Sequence, residues 1–230
     1  MRRPLLAAMI VRAHPDRPWR TEVLARRRLS GDTFEIELAR PGGFEFVAGQ
    51  HIRLLMPEGA RDYSLTNGIA DRPLALCVRR IPEGTVSRRL ETLSAGAPLD
   101  FLGPFGHFVH RPSEAAAVWV AAGTGIAPFV SMARSGISCA LLLHGAREAG
   151  ELHYADVLRA AASLYVPCLS HPAAGREPAF AGRVTKFLAE RLVAGHYDFY
   201  LCGGATMIHE ALMLVDLRFP GSRVFSEAFY

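Results

Sequence analysis

The chain of 230 residues is predicted to fold as two units. A six-stranded antiparallel β-barrel spans residues 20–111, and a doubly wound, five-stranded parallel-sheet α/β unit spans residues 112–230. Three observations predict this. Residues 20–111 read as short alternating strands broken by Gly, Pro and Asp. From Ala115 onward, continuous apolar runs alternate with helix-like stretches, the pattern of a parallel sheet covered on both faces. Between the two rhythms lies "HRPSEA", residues 110–115, rich in proline and polar residues as a boundary should be. Residues 1–19 precede both units as an extension whose role the sequence leaves open.

In the first unit the strands are "TEVLARRRL", "TFEIELA", "HIRLLM", "DYSLTN", "LALCVRRI" and "PLDFLG". Each mixes apolar and polar residues in rough alternation. One segment differs: "GTVSRRLETLSAG" sets Val86, Leu90 and Leu93 at helical spacing and closes on a glycine. Six short strands with one capping helix make a small barrel. In the second unit the strands are "AAAVWVAA", "ISCALLLHGA", "LYVPCLS", "YDFYLCGG" and "SRVFSEAFY". The intervening helices are "APFVSMARS", "ELHYADVLRAAA", "RVTKFLAERLVA" and "ATMIHEALMLVDLR".

Composition excludes several classes. Half the residues are hydrophobic and 21% are charged, an ordinary globular balance. The net charge of +4 is mild, and no basic tract interleaved with aromatics points to nucleic acid. The clusters Arg26–Arg28 and Arg79–Arg80 read as solvated faces or as ligand-phosphate contacts. Cys77, Cys139, Cys168 and Cys202 stand far apart, against structural zinc or a plant-type iron–sulfur cluster and in keeping with free thiols in a reducing cytosol. The nine histidines form no HxxxH or HxxE pattern, so no metal site is expected. "MRRPLLAAMIVRAH" lacks a convincing cleavage site, and no apolar run reaches the ~18 residues of a membrane span. A cytoplasmic, soluble protein is expected.

The chemistry-bearing stretches are loops and strand ends. In "RDYSLTN", residues 61–67, Arg61, Tyr63 and Ser64 are read as one strand face, a cation, a ring and a hydroxyl that together ask for a ligand. Asp62 points the other way. "EGTVSRRL" places Gly84 and Ser87 at a helix start, suited to a pyrophosphate or simply an ordinary first turn with solvated arginines. "AAGTGIAPFVSM" puts Gly123 and Gly125 where backbone approaches a ligand or makes a plain tight turn, with Pro128 in the first turn of the next helix. "YLCGGATM" repeats the strand–glycine–helix form, with Cys202 either a small core residue or part of a site. "LHGAREAGEL" sets Arg147 at a strand end, as a surface residue or a phosphate clamp. "FLGPFGHF" covers an adenine or merely closes the barrel. The final "VFSEAFY" sends Glu227, Phe229 and Tyr230 toward the carboxyl ends of the parallel strands, where open sheets bind ligands.

In their order along the chain, these motifs resemble the ferredoxin–NADP(H) reductase superfamily of flavoproteins, over about residues 20–230. The resemblance implies a flavin-binding barrel and an NAD(P)-binding α/β domain. It implies that Arg61 binds the flavin phosphate, that Tyr63 flanks the isoalloxazine and that Ser64 hydrogen-bonds near its N5. Arg79 and the helix start Gly84, Thr85, Val86 and Ser87 would complete the cofactor site, for FAD in preference to FMN. Gly123, Thr124, Gly125, Pro128 and Arg147 would bind the pyridine nucleotide. Cys202, with Gly203, would lie beside the nicotinamide together with Glu227, and Phe229 or Tyr230 would cover the flavin.

Ser64, Cys202 and Glu227 would then orient and polarise the rings rather than act as nucleophiles. Phosphate-selective relatives carry Ser-Arg after the third parallel strand. Here the nearest match is Ser170-His171, with Arg176 and Arg147 nearby, which leans to NADH over NADPH. No cysteine pattern for an appended iron–sulfur domain is present, so the implied acceptor is a separate ferredoxin, flavodoxin or oxygenase component. A free-flavin reductase and a non-catalytic flavin-binding regulatory subunit are the alternative functions. The sequence leaves the oligomeric state open.

Overall fold

The computed structural model describes residues 17–172 and 180–229. The first sheet contains β1 (Trp19–Arg28), β2 (Thr33–Leu38), β3 (His51–Met56), β4 (Gly59–Ser64), β5 (Leu74–Arg79) and β6 (Pro98–Phe105). They are ordered β4-β3-β6-β1-β2-β5, and every pairing is antiparallel. A bridge between Leu65 and Leu76 joins the two ends, so the sheet closes on itself and leaves no bare edge there. The alternation read from the sequence points inward: Ile36, Leu38, Ile52, Leu54, Leu76 and Phe101 are fully buried. Each contributes about 1.5–3 kcal/mol on leaving water. Helix α1 (Thr85–Thr92) plugs the barrel with Val86 and Leu90.

The second sheet contains β7 (Ala116–Ala122), β8 (Cys139–Ala146), β9 (Ala162–Leu169), β10 (Phe180–Ala181), β11 (Tyr197–Gly204) and β12 (Arg223–Phe229). It is parallel throughout, in the order β10-β9-β8-β7-β11-β12. The sequence predicts five strands here, and the described residues contain six. The addition, β10, is two residues long and borrows its pairing from Cys168 and Leu169, so it carries no periodicity of its own. Successive strand residues serve opposite faces. Trp119, Leu142 and Tyr200 pack under α2 (Ala127–Arg134) and α3 (Ala155–Ala161). Val118, Leu143, Phe199 and Leu201 pack under α4 (Val184–Glu190) and α5 (Ala205–Arg218). Covering both faces is what turns these strands into continuous apolar runs.

Two features position the site. The chain leaves β7 and β11 on opposite sides although Ala121 and Cys202 are neighbours in register, which opens a crevice at their carboxyl ends. The segment after β4 is fastened to α2: Ser131 donates to the Asn67 carbonyl at 2.8 Å, and Arg134 to that of Thr66 at 3.1 Å. A Cβ on Gly68 would stand 2.8 Å from the Arg134 carbonyl oxygen, so glycine permits this docking.

At the opposite end of the sheet, Asp198 is buried against Arg223 on β12 and accepts a hydrogen bond from Ser113 at 2.6 Å. The Arg223 hydrogen bond holds its carboxyl below the ordinary range, against the opposing effect of burial. A depressed folded-state pKa gives stability that is present above the unfolded value of about 3.9 and lost as pH falls through the folded one. Asp198→Asn is therefore expected to cost about 2 kcal/mol at neutral pH. In denaturant titrations that difference from wild type shrinks below about pH 4.

Candidate functional site

On β4, Arg61 lies opposite Leu54 and Tyr63 opposite Ile52, so these two share a face as the sequence reading holds. Arg61 is exposed. Tyr63 packs on the barrel core, and burial pushes its phenol up to about 12. Ser64 is not on that face. It lies opposite His51, one residue out of phase with Tyr63, on the side that carries Asp62. Strand alternation allows two of the three expected side chains on one face, not all three.

Asp62 forms a paired contact with Arg53 across the strands, at 2.7 and 2.8 Å.

The face carrying Ser64 meets the parallel sheet. Ser64 is buried and donates its hydroxyl to Glu227 Oε1 at 3.2 Å. Glu227 on β12 lies in register with Cys202 on β11. The three residues expected to act together therefore converge. Burial and the Glu227 charge raise the Cys202 thiol well above its usual value, which favours the neutral thiol over the thiolate. Phe229 packs on the cluster that contains Cys202. Tyr230, expected to share the covering role, lies outside the described residues, as do Arg176 and residues 1–16.

A participant that sequence reasoning missed is His51. Its Nδ1 stands 3.6 Å from Glu227 Oε2. No local pattern could have marked it, because its partner is on the last strand of the other sheet.

The α1 N-terminus fits a pyrophosphate. Gly84 caps it in extended conformation, with no side chain bonded to the first turn and no acidic residue there. The first-turn amides of Thr85, Val86 and Ser87 thus lack intrahelical partners. Ser87 itself is buried and accepts from the Ile81 amide at 3.0 Å, which leaves its hydroxyl proton free. A Cβ on Gly84 would meet Ile81 Cβ at 2.9 Å and Ser87 Oγ at 3.1 Å, so the bare backbone is required. The helix lies against β4, the strand of Arg61.

The crevice at the carboxyl ends of the parallel strands holds a cavity of about 590 Å³. Gly123, Thr124, Arg147, Ser170, His171 and Gly204 line it, with Arg183, which the sequence reading passed over. Arg79, expected in the flavin set, also lines this cavity, its Nε held by Asp32 at 2.9 Å. Gly123 takes a left-handed turn (φ +57°) with open space around it. Gly125 has a different task, since a Cβ there would collide with the Cys202 carbonyl. Its bareness serves the packing of the loop on β11 rather than ligand approach. Pro128 lies in the first turn of α2, which is entered through a single 3-10 turn over Gly123–Ile126.

A closed antiparallel barrel with an uncapped helix start is docked here on a parallel sheet with a glycine-lined crevice. Residues 20–110 match the family model of the oxidoreductase FAD-binding domain, and residues 119–212 that of the oxidoreductase NAD-binding domain. The chain belongs to the ferredoxin–NADP(H) reductase superfamily of flavoprotein oxidoreductases. It is 32% identical over 226 residues to an aromatic O-demethylase reductase subunit of Amycolatopsis, covering 89% of this chain and 67% of the relative. It is 35% identical over 158 residues to ferredoxin–NADP reductase B of Sorangium cellulosum, covering 63% and 65%. A methane monooxygenase component C of Methylosinus trichosporium is 33% identical over 156 residues, 61% of this chain and 46% of the relative. The chain thus spans about half to two thirds of the length of these relatives.

Among solved structures, a Neisseria gonorrhoeae ferredoxin NADP+ reductase with bound FAD and NADP superposes with a TM-score of 0.81. The match is 20% identical and covers 93% of this chain and 99% of the other. An Amycolatopsis cytochrome P450 reductase gives a TM-score of 0.80 at 29% identity, covering 93% and 70%.

The opposite faces of Arg61 and Asp62 make a direct test. Asp62→Ala is expected to retain FAD through gel filtration and to cost about 0–1 kcal/mol, the usual worth of an exposed ion pair. Arg61→Ala is expected to weaken FAD retention without a comparable change in the unfolding midpoint.

Proposed function

We propose that this protein takes hydride from NADH or NADPH onto bound FAD and passes the electrons to a separate protein acceptor, such as a ferredoxin, a flavodoxin or an oxygenase component. The observation that carries the reading is the Ser64–Glu227 hydrogen bond. It joins the strand of the Arg61-Tyr63-Ser64 motif to the strand beside Cys202, so the two halves meet at a half-buried contact.

Bound FAD supplies the hydride-accepting and electron-storing chemistry. The chain's contribution is placement. Arg61 and the amides of Thr85, Val86 and Ser87 hold the phosphates, and Gly84 keeps the approach open. Tyr63 flanks the ring. With its proton given to Glu227, the Ser64 hydroxyl keeps its lone pairs for a ring N–H. The Gly123–Thr124 turn, Arg147 and Gly203 hold the nicotinamide nucleotide. Cys202, a neutral thiol in an apolar setting, packs beside the nicotinamide rather than attacking it. Phe229, half-buried against the Cys202 cluster, would cover the flavin ring.

Reacting atoms must come within roughly 3–3.5 Å, and a displacement of about 1 Å can cost ~100-fold. Four free, buried thiols at Cys77, Cys139, Cys168 and Cys202 support a reducing, cytoplasmic location. No helix among the described residues is long and apolar enough to cross a membrane.

The test is an absorbance spectrum of FAD-loaded protein before and after anaerobic NADH or NADPH. Bleaching of a flavin that survives gel filtration, slowed at least about tenfold by Ser64→Ala, is the expected outcome. Flavin lost on the column but reduced in turnover would indicate a free-flavin reductase. No bleaching with either nucleotide would indicate a non-catalytic subunit.

A further inference from the structure

We infer that His51 is a positioning residue for the nicotinamide–flavin site, fixing the Glu227 carboxylate through the oxygen that Ser64 leaves free. The inference rests on the function proposed above. His51 and Ser64 are directly opposed on β3 and β4, so both side chains rise from one face of the barrel. Ser64 holds Glu227 Oε1 at 3.2 Å, and His51 Nδ1 approaches Oε2 at 3.6 Å. A single contact leaves a glutamate free to turn about its terminal torsion; two contacts on its two oxygens set its plane. Because β12 belongs to the parallel sheet, the same pair of contacts locks the two sheets in register at the site.

Gly106 supplies independent geometric support. It has a left-handed backbone, φ +96°, and a Cβ there would lie 2.8 Å from His51 Nδ1 and 3.4 Å from Glu227 Oε2. The chain is bare at the point where the ring and the carboxylate meet. The contact is also shielded, with 18% of the His51 side chain and 17% of the Glu227 side chain exposed. Other charges on this barrel face are already committed: Arg53 is bound to Asp62 and lies over the Phe105 ring. At 3.6 Å the ring and the carboxylate stand in ion-pair rather than hydrogen-bond range, and an Nδ1–H faces Oε2 in the imidazolium and in the Nδ1-protonated neutral ring alike.

Four variants in FAD-loaded protein, followed by anaerobic stopped-flow with NADH and NADPH, test this. His51→Ala is expected to slow flavin bleaching about tenfold while the nucleotide dissociation constant changes less than about twofold. His51→Asn, whose amide nitrogen can stand where Nδ1 does, is expected to restore the rate to within about threefold of wild type. In a Glu227→Ala background, His51→Ala is expected to change the rate less than about twofold. Thermal unfolding of the flavin-free proteins gives a second cycle, in which His51→Ala lowers the midpoint only when Glu227 is present.

A His51→Ala rate equal to wild type, a loss that Asn does not restore, or additive effects of His51→Ala and Glu227→Ala would each overturn the inference. If wild type itself is not bleached by either nucleotide, the proposed function fails, and the unfolding cycle alone decides whether His51 holds Glu227.

Discussion

The half-buried carboxylate of Glu227 is where the two halves of this protein meet. It leaves the last parallel strand in register with Cys202 and reaches Ser64 on the barrel, 163 residues earlier in the chain. The rest of the architecture holds that contact in place. The closed barrel fixes β4, the Thr66–Gly68 segment fastens β4 to α2, and the Gly125 loop fastens α2 to the end of β11. A half-buried carboxylate that accepts from Ser64, with His51 3.6 Å from its other oxygen, is restrained, and restraint is what ring-to-ring hydride transfer requires of a protein.

Much of the fold is legible in the sequence because its periodicities are imposed by burial. The barrel strands alternate because one face meets the core, and the parallel strands run continuously apolar because helices cover both faces. The helix of Val86 and Leu90 stands out by its spacing alone. The two-residue β10 does not, because its pairing comes wholly from β9. Of the extension expected at residues 1–19, residues 1–16 lie outside the described residues, and Trp19 already opens β1.

The site divides in the same way. Glycine-rich turns at strand ends could be marked locally; of the glycines singled out there, Gly123 lines the crevice, while Gly125 packs against the Cys202 carbonyl. What could not be read was tertiary. His51 and Arg183 carry no motif, and their meaning comes from residues on other elements. The placement of Ser64 with Arg61 and Tyr63 on one face overlooked that neighbours in a strand point apart. The corrected register is more informative than the expected one. It sends Arg61 and Tyr63 to one side of β4 and Ser64 to the other, where the nucleotide half of the protein meets it.

The most direct measurement of the central claim is the rate of anaerobic flavin bleaching with nicotinamide nucleotide deuterated at the transferred C4 position. Direct hydride transfer across a site assembled from both halves predicts that deuteration on one face of the ring slows bleaching severalfold and on the other leaves it unchanged. Equal sensitivity to both faces, or no bleaching by either nucleotide, would contradict the account.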